Sequence, residues 1–460
     1  MCGLTASRFF RQQVCGRSSH QQRLQDSTIN QTAVSQTRID VSRGNQGTLL
    51  TVKEDARTTT TFRYERWRAV ASGILETAAT TFLLLIAVRH FEAGAIAKGL
   101  IASGGSVGLM LGPLVVSFVA RARWTSSRAA AQLALGGAIV FLAMAAVPVL
   151  PVFTIGSILA MTATTAAIPL LTQIYHENYP DGRRGKLFSR TIVIRIGVAG
   201  VFSDLAGRAF SGRIDRFQFL LLIFAAALAV VAYCLWRIPS RPLVSAEGSH
   251  PFRALRFGYE DPLFRRTLIC WMFMGFANLM MLPMRVEMLA NPKYGLVLTV
   301  SEIAFLTGVV PNAARIVMSP IWGWLFDRAN FFVLRVMVNL GFALGIITFF
   351  TSTDTTGLVL GALVFGISTA GADIAWSLWV TKFAPDNRVA DYMSVHTFFT
   401  GLRGVAAPIT AFQLANVLSL TSLGLFSAVL IFLASAMLIP EIKSGRRAKP
   451  ADALVEEVSE

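Results

Sequence analysis

Twelve long apolar runs between Trp67 and residue 440 constrain this chain more than any other feature. They lie at about 67–89, 95–119, 129–149, 152–175, 187–209, 217–237, 265–288, 299–325, 331–351, 356–381, 390–415 and 419–440. An α-helix rises about 1.5 Å per residue, so about 20 residues cross the roughly 30 Å hydrocarbon layer of a bilayer. Charged residues are 15% of the chain and hydrophobic residues 54%, whereas a soluble domain is about one quarter charged. The competing reading is a large soluble helical protein, and twelve runs so poor in charge speak against it. The sequence therefore predicts an all-α membrane protein of twelve transmembrane helices in the lipid bilayer. Gly104, Gly105, Gly108, Gly112, Pro113, Pro169, Pro311, Pro320 and Pro408 fall inside runs, which bundled membrane helices tolerate.

The flanks and connections divide the chain further. Residues 1–65 are rich in Ser, Thr, Gln and Arg and hold no long apolar run. Such a segment cannot bury enough surface to fold alone, so a disordered cytoplasmic tail is expected. It lacks the apolar core of a secretory signal. Its Arg-rich, acid-poor composition also fits a transit peptide, and the lack of Met between Met1 and Met110 fits a mis-assigned start. The polar, Pro-containing stretch 238–264 separates six runs (66–237) from six (265–440), and 441–460 is a second tail.

Basic residues orient the runs. With the N-terminus inside, inner connections carry Arg121, Arg123, Arg128, Arg183, Arg184, Lys186, Arg190, Arg237, Arg241, Arg253, Arg256, Arg265, Arg266, Arg328, Arg335, Lys382 and Arg388. The outer side carries only Arg89, Lys98, Arg208, Arg213, Arg216, Arg285 and Lys293. The positive-inside rule then puts both tails in the cytoplasm, as in a plasma (inner) membrane protein. Trp67, Trp124, Trp236, Trp324 and Trp379 fall near the inner ends, as an interfacial belt would. The net charge of +16 raises the question of nucleic acid. Because the basic residues sit between runs and in tails, no nucleic-acid partner is expected, and the chain is read as a monomer. Cys2, Cys15, Cys234 and Cys270 have no metal-ligand or redox spacing.

The halves repeat. Tyr179-Pro-Asp-Gly-Arg183 precedes the fifth run and Ala384-Pro-Asp-Asn-Arg388 the eleventh, 205 residues later. Ser189 and Ser394 match at the same offset. Pro113 and Arg121 match Pro320 and Arg328 at an offset of 207. Agreement on nearly one offset implies two pseudo-symmetric six-helix halves of parallel topology.

The second-half copy carries a charged stretch, Gly323-Trp-Leu-Phe-Asp327-Arg328, read as a tight turn after the eighth run. With twelve spans and a long central loop, this Gly-x-x-x-Asp-Arg pattern resembles the major facilitator superfamily over about residues 65–440. In that family the motif continues with glycine and basic residues; here Asn330, Phe331 and Phe332 follow, then Arg335. The first-half copy is degenerate, since Ala120 precedes Arg121 where the acid would stand. The resemblance implies alternating access and a midplane substrate site. It also implies that Asp327 docks on a neighbouring helix N-terminus to hold the inward-closed arrangement, an end where an acid is favoured. The plainer reading is that Gly323 and Asp327 make a turn and Arg328 enforces topology.

Ionisable residues inside spans are costly, so each is a candidate site. Glu76, Arg195 and Arg403 fall about nine, eight and thirteen residues into their runs, and Arg315 about ten from the inner end of its own, about 12–20 Å from the inner surface. They are expected to converge near the midplane. Ser72, Glu76 and Thr80 share a helix face, as do Gly308, Asn312, Arg315 and Ser319, and also His396, Thr400 and Arg403. Asn278 of the seventh run corresponds roughly to Glu76. Glu76 is the expected proton carrier, because burial favours a neutral carboxylate and a nearby arginine favours the ionised form. A static ion pair is the alternative. Arg195, Arg315 and Arg403 suit a carboxylate, phosphate or sulfonate, or pair with Glu76, Asp204 and Asp373. Asp204, Asp373 and Arg121 are assigned to gating with Gly323, Asp327 and Arg328. His396 is as easily a packing residue as a ligand.

No catalytic constellation, metal cluster or phosphate-binding loop occurs, so neither an enzyme nor a cofactor is expected. The sequence reads as a secondary active transporter of a small organic solute, with anions favoured and protons as the coupling ion. A transporter-fold sensor without transport and a lipid flippase are the alternatives.

Overall fold

In the computed structural model, residues 56–243, 252–296, 298–379 and 389–443 are described. Among them the regular structure is helical, with one isolated β-bridge between Thr125 and Pro242. Twelve long helices follow in order: α1 (Ala56–Arg89), α2 (Ala95–Arg121), α3 (Ser126–Ala146), α4 (Leu150–Asn178), α5 (Asp181–Phe210) and α6 (Phe217–Arg237). The second half continues with α7 (Pro262–Ala290), α8 (300–328), α9 (Phe331–Thr351), α10 (Thr355–Leu378), α11 (Val389–Leu414) and α12 (Leu420–Ala436).

The halves repeat in packing as well as in sequence. In the first, α2 packs on α4 and α3 on α6; in the second, α8 packs on α10 and α9 on α12. Two seams join the halves, α2 with α11 and α5 with α8. Both depend on small residues, since close approach of helix backbones drives association in lipid. A Cβ on Gly401 would meet the backbone of Met110 and Ser106, and one on Gly308 would strike Ser203.

Several boundaries depart from the sequence reading. Helix α1 begins at Ala56 and α5 at Asp181, each earlier than its apolar run. One face of the polar first turns of α1 is buried against α4. Thr58 donates to the Asn178 carbonyl at 2.8 Å. Arg68 forks onto Glu65 at 2.7 and 2.8 Å and donates to the Tyr175 hydroxyl, which itself donates to Glu65. Internal pairing of this kind replaces water, and a hydropathy window does not register it. Gly323–Arg328 is not a loop: α8 runs through Arg328, and the turn is Ala329-Asn330, where the Asn330 side chain accepts from the Phe332 N–H to cap α9. One glycine in six residues is too small a penalty to break a packed helix. Trp67, Trp124, Trp236 and Trp324 are exposed as a belt requires, but Trp379 is fully buried between Phe264 and Trp271. The N-terminal tail (1–55), residues 244–251 of the central connection, Lys382, the Ala384–Arg388 repeat and residues 444–460 of the C-terminal tail lie outside the described residues.

Helices α1 and α8 each contain a π-helical turn, Ala78–Phe82 and Phe305–Val309. An extra residue per turn rotates the side chains that follow and recurs at functional sites. The two turns meet through the hydroxyls of Thr81 and Thr307, 2.9 Å apart. Just beyond them lie the ionisable residues of the bundle centre.

Candidate functional site

Four helices, two from each half, bring charges together. Glu76 on α1 accepts from Arg315 Nη1 of α8 at 2.6 Å. Its second carboxylate oxygen lies 3.1 Å from Arg195 Nε of α5, a charge contact rather than an aligned hydrogen bond. Arg315 Nη2 donates to Asp373 of α10 at 2.8 Å, and its Nη1 also reaches Asn312 Oδ1 at 2.8 Å. Arg315 and Asn312 are buried, while the Asp373 and Arg195 side chains remain 40% and 39% exposed. The cluster therefore has a dry side and a wet side.

Its pairings have a simple logic. Glu76–Arg195 lies within the first half and Arg315–Asp373 within the second. Among the described residues, Glu76–Arg315 is the pairing of this cluster that crosses between them. Each half can keep its own ion pair if the crossing one breaks. Two carboxylates and two guanidiniums also balance formally.

Not all of the expected midplane residues join. Arg403 donates to the Trp271 carbonyl of α7, and His396 is fully buried among Trp271, Trp376 and Trp379. Among the described residues neither contacts Glu76. Asn278 is half-buried and its Oδ1 has no partner among them. The spacing of Arg403 fixed its depth but not which neighbour it would face.

The gating residues separate likewise. Asp373 joins the central cluster through Arg315. Asp204 pairs with Arg208 one turn along its own helix at 2.9 Å. Arg121 is exposed at the end of α2. Arg328 stacks on Trp324, 4.6 Å from the ring centre, and Gly323 packs beside Ile374. The Asp327 side chain lies outside the described residues.

One ionic tie between the halves escaped the sequence reading. Lys98 of α2 and Glu287 of α7 pair at 2.6 Å, 7% and 1% exposed. Asn291 also donates to Glu287, at 2.8 Å. Nearby, Arg89 at the end of α1 donates to the Leu298 carbonyl at 3.0 Å. These contacts close the end of the bundle holding the α1–α2 and α7–α8 connections, the outer end by the charge rule. Glu287 stands inside an apolar run, so the rule that picked Glu76 would have found it; Lys98 had been counted as a loop charge.

This architecture matches known proteins. The Major Facilitator Superfamily model matches residues 69–408. No functionally curated protein matches the chain. Among solved structures, a variant of the nucleoside transporter NupG superposes with a TM-score of 0.69 at 13% identity, covering 83% of this chain and 99% of that one. The inward-open xylose transporter XylE from E. coli gives 0.59 at 15% identity, covering 88% and 99%. A D-xylose-proton symporter gives 0.58 at 15% identity, covering 83% and 97%. Two related six-helix halves, seams at α2–α11 and α5–α8, a charge cluster spanning both halves and the family match lead to one conclusion: this integral membrane protein belongs to the Major Facilitator Superfamily and has the fold of its transporters.

Proposed function

We propose that this protein is a proton-coupled secondary transporter of a small organic solute, working by alternating access, with Glu76 as the proton site. The observation that carries this reading is the division of Glu76 between Arg195 of its own half and Arg315 of the other. Protonating Glu76 removes its charge from both contacts and loosens the one ionic tie across the cluster, while Arg315 keeps Asp373. A proton thereby acquires different interaction free energies in closed and open arrangements, which any coupling requires. Rocking of 66–237 against 265–440 about the two seams would expose the wet side of the cluster in turn.

The solute contacts in this proposal are Glu76, Arg195, Asn312 and Arg315, joined by Asp373. The expected preference for anions finds no support in this cluster, because Asp373 balances the second arginine. Structural neighbours named for nucleosides and xylose make neutral, hydroxyl-rich solutes the first to assay. Both tails are proposed to face the cytoplasm of a plasma membrane, in keeping with the exposed tryptophans at the inner ends.

The test is uptake into proteoliposomes under an imposed pH gradient, using uridine, D-xylose and a panel of small organic acids. Glu76→Gln should lose at least tenfold in gradient-driven accumulation yet retain counterflow exchange. Loss of both activities, or of neither, would remove Glu76 from the coupling role. No uptake of any solute by the unmodified protein would count against transport itself.

A further inference from the structure

A second group of buried cations lies within the C-terminal half, and no described carboxylate balances its charges. The Arg335 guanidinium of α9 lies over the Trp271 ring of α7, 3.7 Å from its centre. Arg403 of α11 approaches the same ring, at 5.9 Å. Arg335 is 2% exposed, Arg403 5% and His396 0%. Among the described residues the arginines reach only neutral acceptors: Arg335 Nη2 contacts the Met274 sulfur at 3.2 Å, and Arg403 Nη1 the Trp271 carbonyl. Gly275 makes room for this arrangement, since a Cβ there would overlap the Arg403 guanidinium.

Several polar atoms around these contacts have no partner among the described residues. They are Arg335 Nη1, Arg403 Nε, both ring nitrogens of His396, Trp271 Nε1 and Thr400 Oγ1. No described carboxylate forms an ion pair with either arginine, unlike Arg315 with its two. Attraction to an aromatic face is smaller than the desolvation penalty of a guanidinium. A lone sulfur or carbonyl acceptor does not close the gap, and two like charges near one ring widen it. Guanidinium forks match the geometry of oxyanions, and charge-assisted hydrogen bonds to such a group are the strong ones.

We propose that Arg335, Arg403, His396 and Trp271 form an anion-binding site, distinct from the Glu76 cluster, that takes one compact oxyanion: a carboxylate, phosphate or sulfate group. The anion is either a free inorganic ion or the acidic group of an organic solute. The site lies on helices of one half only, so it does not rest on the proton-coupling reading.

The full-length protein, purified in detergent into oxyanion-free buffer, is titrated with sodium phosphate, sulfate or acetate at fixed ionic strength. Tryptophan fluorescence and the thermal midpoint are followed together. At least one anion should give a saturable response that Arg335→Gln and Arg403→Gln each weaken at least tenfold. Glu76→Gln should bind like the unmodified protein, which separates this site from the transport reading. Should the arginine variants fail to fold, Gly275→Ala, which keeps every donor but displaces the Arg403 guanidinium, carries the test with the same expected weakening. Phosphate or sulfate binding without acetate binding identifies an inorganic ion; acetate competing with them identifies an organic acid group. General stabilisation by excluded sulfate neither saturates nor depends on the arginines. No saturable response to any of the three anions, or one unchanged in all the arginine and glycine variants, overturns the proposal.

Discussion

Arg315 and Arg335 both belong to the C-terminal half and are both nearly inaccessible, yet the protein accommodates them in different ways. Arg315 is held between Glu76 and Asp373, one carboxylate from each half. Arg335 lies on an indole face and a thioether. Taking an ion out of water costs several kcal/mol, and a desolvated cation–π contact returns about 2 kcal/mol. Carboxylates can therefore offset the burial of Arg315, while rings alone leave a deficit at Arg335. The difference also bears on motion. An arginine shared between carboxylates of two bodies can keep one partner while losing the other. An arginine held within a single body has no such alternative and is suited to holding a ligand.

The largest expected effect breaks this comparison directly. Arg315→Met leaves Glu76 without its shorter contact and Asp373 without its arginine. Breaking a buried pair by removing one partner costs about 3–5 kcal/mol, and the partial exposure of Asp373 places the expectation at about 3 kcal/mol, with transport abolished. Arg335→Met removes a charge with no ionic partner among the described residues, so in oxyanion-free buffer it should change stability by less than about 1 kcal/mol, or raise it. Thermal midpoints measured side by side in one detergent decide the matter. Equal losses in the two variants would mean that the rings satisfy Arg335 as fully as carboxylates satisfy Arg315.

How much of this was legible in the sequence follows from the same contrast. Hydropathy located the twelve helices because lipid imposes one rule on every span. It misplaced the starts of α1 and α5, whose first turns are polar; at α1 the polar residues are paired internally, through Glu65, Arg68 and Tyr175. Glu76, Arg195 and Arg315 stand out in the sequence because an ionisable residue in an apolar run is conspicuous. Arg403 was sent to the wrong neighbours because counting residues along a helix gives depth but not azimuth. Asp373 was assigned to gating because only the bundle shows that its helix lies against α8. Arg335, five residues into its helix, was counted as a loop charge, and Lys98 likewise. Residues near helix ends can be fully buried when neighbouring helices overhang them, and a single sequence does not reveal the overhang.

A smaller effect is expected at the outer end, where the ionic tie between halves lies outside the central cluster. Lys98 and Glu287 are buried and pair across the halves, so their contact exists only while that end is closed. Lys98→Ala combined with Glu287→Gln removes the tie without leaving a buried unpaired charge, since Lys293, 3.9 Å from Glu287, is itself 44% exposed. The population open to the outside should rise about tenfold, which corresponds to about 1.4 kcal/mol between the two arrangements. A cysteine at Thr81, labelled by a membrane-impermeant reagent from the outer side, reads the change. Labelling at the unmodified rate would show that the seams, not the charges, close this end.

The smallest expected effect concerns Asp327. Because α8 continues through Arg328, the acid stands in the last turn of a helix, where unpaired carbonyls make a negative charge unfavourable by about 0.3–1 kcal/mol. If that were its whole environment, Asp327→Ala would modestly stabilise the protein and leave its conformational balance unchanged. A residue that docks on a neighbouring helix N-terminus in one arrangement only behaves differently, since its loss acts on one state and not the other. The docking implied by family resemblance therefore predicts a two- to fivefold change in Thr81→Cys labelling for Asp327→Ala, the range that about 0.3–1 kcal/mol allows. Arg121→Ala, which alters the degenerate first-half copy, should change it less. A higher thermal midpoint with unchanged labelling would reduce the stretch from Gly323 to Arg328 to a helix end, and would leave the central cluster and the Lys98–Glu287 pair as the ionic ties between the two halves among the described residues.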